Sequence, residues 1–281
     1  MTHLTRRAER LCPLDDNGDA LVMNYDSGLW LIGVGPGNVG LMSIDAIEIV
    51  KSCDLRFLEG YTALLPNEQE EKLEVLVGNY EKIMRHDVEQ PEKLLDLAKK
   101  SRVALMVVGD PLQATTHIDL QLRAAEKNIE CHVIHGISIT TIVTGVVGLQ
   151  SYRFGRQVTI AYPYGEYLAT SPFEMILDNL ERNLHTLVFL DLDPSGMGEG
   201  KQIPMTPQKA VEVMQLSAEK LNEDINEWKI VLCSDMGTDE QCIRYGSLDK
   251  ISEINDGMIH CIVIPGRLDE LEREALERWD L

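Results

Sequence analysis

Short apolar runs alternate along most of this chain with longer segments in which apolar side chains return every third or fourth position, the periods of strands and helices. The run 29–32 predicts a strand ending at glycine, and Ser43 can cap a helix carrying Ile44, Ile47 and Val50 on one face. The run 55–58 predicts a second strand, ending at Glu59-Gly60. A helix over 91–101 precedes the run 103–108, which stops at Gly109-Asp110-Pro111. A further helix over about 116–127 precedes the run 131–134, which stops near Gly136. This order of strand, turn and helix predicts a largely parallel sheet with helices on its faces.

Past residue 150 the spacing lengthens. Strands are predicted at 158–161, 186–190, 229–232 and 261–264, and helices over 172–183 and 207–221. The glycine-rich stretch 194–204 reads as a loop and the acidic tail 269–281 as a surface helix. The expected organisation is a flexible extension over 1–28, an α/β domain over 29–150 with a glycine-rich turn and a Gly-Asp-Pro motif, and a second α/β domain over 151–281.

Charge narrows the partners. With 46 acidic and 26 basic residues the net charge is −20, so nucleic acid and anionic membranes would both be repelled and neither is expected. The six cysteines include no CxxC pair, no metal is expected, and Cys53, Cys131, Cys233 and Cys261 lie in or beside apolar runs, as small buried hydrophobes of a reducing compartment do. Residues 1–7 have no apolar stretch behind them, and the soft stretch 137–149 is too short to span a bilayer, so a cytoplasmic location is expected.

Two turns hold the candidate chemistry. The first, Gly33-Val34-Gly35-Pro36-Gly37, ends the first strand, and Glu59 ends the next, where a ribose-binding acid would lie. A dinucleotide fingerprint would place glycine or alanine at 38, where Asn38 stands, and Pro36 offers no N–H to a phosphate. On these residues a nicotinamide site, a tight turn without a ligand and a cofactor held by backbone groups all remain open. At Gly109-Asp110-Pro111, Asp110 either accepts from ribose hydroxyls or caps the helix that follows. His132, His135 and His185 flank strands and are expected to satisfy local hydrogen bonds; His117 and Asp119 are expected to pack or cap rather than hold a metal.

The string continuing from the second turn, Leu112-Gln113-Ala114-Thr115-Thr116-His117, is narrower than either turn. With Leu31-Ile32-Gly33-Val34-Gly35, Glu59-Gly60-Tyr61-Thr62-Ala63-Leu64-Leu65, Gly148-Leu149-Gln150, Tyr152-Arg153-Phe154-Gly155, Leu184-His185-Thr186-Leu187 and His260-Cys261-Ile262-Val263-Ile264-Pro265-Gly266, it resembles the diphthine synthases, S-adenosylmethionine methyltransferases of the tetrapyrrole-methylase fold. The resemblance implies two α/β domains of that type with S-adenosylmethionine in the cleft between them. It implies cofactor contacts at Pro36, Asp110, Gln113, Ser138, Ile139, Leu190, Met236 and His260.

The activity it implies is methylation of the amino group on a modified histidine of elongation factor 2, a side chain that also bears a carboxylate, on the way to diphthamide. It further implies a homodimer. Transfer from an activated sulfonium to a neutral amine needs positioning and desolvation more than acid–base chemistry. No catalytic residue is nominated on that ground, and Tyr61, Thr62 and His117 stand as cleft candidates. A porphyrinoid methyltransferase of the same fold and a cofactor-binding module without turnover are the alternatives. Asp235 precedes Met236 where the family usually has arginine, and residues 1–28 and 194–204 also depart from its pattern.

Overall fold

The computed structural model of the chain describes residues 27–195 and 202–281; the expected extension up to residue 26 and the centre of the 194–204 loop lie outside them. Its first sheet is built from Gly28–Gly33 (β1), Leu55–Glu59 (β2), Glu81–Ile83 (β3), Arg102–Val107 (β4) and Cys131–Ile134 (β5). The order is β3-β2-β4-β1-β5 and every pair is parallel. A parallel sheet needs both faces covered, and the period of two in β1 does this. Leu29 and Leu31 turn to one side, among Val88, Leu94, Leu95, Leu120 and Ala124 of the helices Arg85–Glu89 (α3), Glu92–Ala98 (α4) and Ile118–Glu126 (α5). Trp30 and Ile32 turn to the other, among Ala46, Val50, Leu73 and Val77 of Ile44–Ser52 (α1) and Asn67–Val77 (α2). Ser43 caps α1 as expected, its hydroxyl accepting from Ala46 N at 3.1 Å.

The second sheet comprises Val158–Ile160 (β6), Thr186–Leu190 (β7), Lys229–Ser234 (β8), Cys242–Ser247 (β9) and His260–Ile264 (β10), in the order β6-β7-β10-β8-β9. Only β6 and β7 run parallel; the other pairs are antiparallel. One face packs on Ser171–Glu181 (α7), Pro207–Leu221 (α8) and Leu248–Ser252 (α9). The other face carries Leu187, Val231, Cys233, Cys261 and Val263. It packs against Val143 of Ile139–Val146 (α6) and Leu276 of Glu270–Glu277 (α10). Thus α6, which precedes residue 150 in the chain, belongs to the second sheet's core.

The tail forms the expected surface helix, with one face turned into the core. Leu276 is fully buried, and so is Glu272 in the middle of that acidic segment. Glu272 completes a capping box with Asp269 and reaches inward to accept from Gln150 N at 3.1 Å and His185 Nε2 at 3.0 Å, with Arg153 on its other oxygen. His185 Nδ1 in turn accepts from Gly266 N at 2.9 Å. That bond fixes the imidazole as neutral, with its one proton on Nε2 facing Glu272. Burial pushes the His185 pKa below its ordinary value against the pull of Glu272, in agreement with that tautomer. His185 therefore serves structure, as the sequence suggested.

Of the cysteines placed in apolar runs, Cys53, Cys233 and Cys261 are buried and Cys131 is half-buried; all are free thiols. Among the described residues no helix is long and apolar enough to cross a membrane.

Candidate active site

The ends of the parallel strands face the second sheet across a cleft of about 300 Å³. Beside its wall at Gly109 three strand-end glycines meet. A Cβ on Gly33 would lie 2.5 Å from Gly136 N and 2.6 Å from Gly109 O, and one on Gly136 would lie 2.2 Å from Gly109 O. No side chain fits there. Beyond Gly33 the turn bends through Gly35 (φ 80°), whose N and O pair with Gly109. Pro36 and Gly37 then press on the loop past β8 of the second sheet: a Cβ on Gly237 would lie 2.6 Å from Pro36 O, and one on Gly37 2.8 Å from Thr238 Cγ2. The glycine turn thus meets the segment 237–238 beside the second sheet as well as bordering the cleft.

Pro36, Asp110, Gln113, Ser138, Ile139, Leu190, Met236 and His260 all line this cleft, as do Tyr61 and Thr62. His117 does not. It is buried, its Nδ1 donating to Pro111 O at 2.9 Å and its Nε2 lying 3.3 Å from Glu59 Oε2. Glu59 is buried too and sits behind the wall, where its carboxylate accepts from Tyr61 N (3.2 Å), Thr62 N (2.6 Å) and Thr62 Oγ1 (2.8 Å). These bonds correct the reading of Glu59 as a ribose-binding acid: it holds the turn that presents Tyr61 and Thr62.

Asp110 does not cap the next helix. One oxygen accepts from Leu112 N at 2.9 Å, and the other from His135 Nδ1 at 2.8 Å and Gly136 N at 3.2 Å, so it ties the ends of β4 and β5 together. The loop it anchors holds Ala114 in the left-handed region (φ 56°), a strained conformation for a residue with a Cβ and one that concentrates at ligand sites. Ser138 caps α6, accepting from Thr140 N at 3.2 Å.

Asp235, the residue departing from the family pattern, also has a defined place. It takes φ 49°, and its carboxylate accepts from Met258 N at 3.0 Å and Ile259 N at 2.9 Å, pinning the segment before β10 to the cleft rim. A cation there would have no acceptor in those N–H groups. Next to it, His260 Nδ1 pairs with Ser234 Oγ at 2.9 Å, and burial holds its pKa below the ordinary value.

Leu64, Arg85, Thr159, Asp191 and Met258 also line the cleft and were not singled out from the sequence. Asp191 follows the end of β7 and Arg85 lies just past β3, where open α/β sheets bind ligands; that rule points to Asp191 from a strand the sequence shows, and would have found Arg85 had β3 been recognised.

Among the described lining residues the acids Asp110, Asp191 and Asp235 outnumber the single cation Arg85 in an otherwise largely apolar wall, which fits a cationic, partly apolar cofactor such as a sulfonium. Among the described residues no cluster of three or more His, Cys, Asp or Glu side chains could hold a metal ion.

A model of the Tetrapyrrole (Corrin/Porphyrin) Methylases matches residues 28–252. The diphthine synthase of Methanocorpusculum labreanum is 37% identical over 254 residues, covering 89% of this chain and 98% of that protein. That of Methanosarcina acetivorans is 36% identical over 256 residues, covering 88% and 94%. A crystal structure of diphthine synthase superposes with a TM-score of 0.78 at 30% identity, covering 90% of this chain and 95% of that one.

Proposed function

The chain belongs to the tetrapyrrole methylase family and is a methyltransferase of diphthamide biosynthesis, and on that premise we propose that it carries a methyl group from S-adenosylmethionine to the amino group of a modified histidine of elongation factor 2. The observation that supports this most directly is the convergence on one cleft of eight residues, from Pro36 to His260, that resemblance alone had picked out. The reading includes the two-domain division near residue 150, the homodimer and the cytoplasmic location.

S-adenosylmethionine, when bound, supplies a methyl group on an already activated sulfonium. The chain's own part is then to bind, orient and exclude water. Backbone at Gly109 and Ser138-Ile139 would meet the flat part of the cofactor, while Leu190 and Met236 would close over it from the second domain. Asp110 would hold the wall in register and could accept a further hydrogen bond on its remaining lone pairs. Tyr61 and Thr62, fixed by Glu59, would border the acceptor; His117 supports them from behind.

Calorimetry tests the cofactor reading. S-adenosylhomocysteine is expected to bind in the micromolar range and NAD⁺ not at all, whereas NAD⁺ binding alone would return the glycine turn to a nicotinamide site.

A further inference from the structure

Arg85 is the only lysine or arginine among the described residues that line the cleft. It opens α3 directly past the edge strand β3, and its guanidinium lies over the Tyr61 ring, 5.3 Å from the centroid. Its nearest carboxylate is that of exposed Glu89, 3.7 Å from Nε, too far for a hydrogen bond. Nε is buried with no hydrogen-bond partner, and the same holds for the hydroxyl of Tyr61, a residue only 6% exposed. Burial also pushes the Tyr61 pKa far above the phenol range, so the hydroxyl stays neutral and able to donate. In a chain of net charge −20, a guanidinium on the cleft wall whose Nε has no hydrogen-bond partner is exceptional. The planar fork of such a group matches a carboxylate.

Topology says whose carboxylate. The first sheet runs β3-β2-β4-β1-β5, and those of the residues proposed for the cofactor that stand on this sheet's side, Pro36, Asp110, Gln113, Ser138 and Ile139, follow β1, β4 and β5. Arg85 follows β3, and Tyr61 follows β2, on the side of the sheet away from β1 and β5. We propose that Arg85, steadied on the Tyr61 ring, forms with the Tyr61 hydroxyl a carboxylate-binding subsite for the acceptor side chain. Gripping the carboxylate beside the reactive amine fixes that amine's direction of approach. The subsite rests on the reading above, in which the acceptor carries both groups.

The test uses the full-length protein with Arg85→Gln, Arg85→Lys and Tyr61→Phe. It measures S-adenosylhomocysteine affinity, and KM and kcat for elongation factor 2 carrying the modified histidine. Arg85→Gln is expected to lower kcat/KM by about tenfold to a hundredfold, mainly through KM, as loss of a charge-assisted bond does. Affinity for S-adenosylhomocysteine should stay within about twofold, the scale of ordinary surface changes. Arg85→Lys should recover part of the loss, and Tyr61→Phe should show a smaller one. Retained S-adenosylhomocysteine binding also certifies the fold of each variant. Weakened S-adenosylhomocysteine binding with unchanged KM would assign the guanidinium to the donor's carboxylate and overturn the proposal, as would unchanged kinetics throughout. Wild-type protein that binds S-adenosylhomocysteine yet never methylates the factor would instead remove the acceptor reading itself, and the subsite with it.

Discussion

Gly136→Ala is expected to lower methyl transfer by about a hundredfold, the loss that misplacing a site's groups by about an ångström can bring, and to weaken S-adenosylhomocysteine binding with it. The added methyl would lie 2.2 Å from Gly109 O and 2.8 Å from Gly33 Cα. Both neighbours are backbone at strand ends, so relief requires the ends of β1, β4 and β5 to part. Asp110, which accepts from Gly136 N, moves with them. Overpacking of this kind should also cost about 1–3 kcal/mol of stability, read from urea unfolding. Gly145→Ala, on α6, is the control. A Cβ there meets nothing within 4 Å, so affinity should hold and stability should rise by up to about 1 kcal/mol.

Glu272→Ala should be the most destabilising single change away from the cleft, by about 3–5 kcal/mol, because it removes one partner from a buried charged network. The carboxylate is fully buried and collects donors from Gln150, His185, Asp269 and Arg153, so its loss leaves Arg153 without its buried partner and His185 Nε2 without an acceptor. The same network sets an acid limit. Burial alone would raise the Glu272 pKa, but the N–H groups of Gln150 and Asp269 and the His185 ring outweigh it and hold it below 4.5. His185 is held below 6.5, chiefly by desolvation. Both groups bind protons more readily when unfolded. Their contribution is complete above the unfolded values and declines as pH falls, first through the His185 range and then through that of Glu272. Urea midpoints should therefore fall from pH 7 to pH 4, and Glu272→Gln should flatten the lower part of that decline. A wild-type midpoint constant over this range would contradict the network's role.

Those two sites mark what the sequence could disclose. The strands of both cores were legible because Leu29, Trp30, Leu31 and Ile32, and their counterparts in β4, β7, β8 and β10, are apolar on both faces. Two of the four edge strands, β3 and β9, were not. Glu81-Lys82-Ile83 buries only Ile83, and Cys242–Ser247 fully buries only Ile243 and Gly246, so neither gives an apolar run. Missing β3 meant missing Arg85. The buried Glu272 was equally hidden, since an acid among acids looks solvated until its partners, distant in sequence, are folded around it.

The motif strings were informative in an unexpected division. Gly148-Leu149-Gln150, Tyr152-Arg153-Phe154-Gly155 and Leu184-His185-Thr186-Leu187 supply Gln150, Arg153 and His185 to the Glu272 network, so they specify a structural junction. The broader glycine and Gly-Asp-Pro turns are the ones that build the cleft. His117 belongs with the first group, as a support for Glu59 and, through it, for Tyr61 and Thr62.

The central claim is that this cleft joins an S-adenosylmethionine methyl group to an amine on a protein. It is tested most directly by incubating the chain with methyl-labelled S-adenosylmethionine and elongation factor 2 bearing the unmethylated modified histidine, then locating the label by mass spectrometry of the peptide. The account predicts label on the side-chain amino nitrogen, absent when the histidine is unmodified. Label transferred to a porphyrinoid and none to the factor would contradict it.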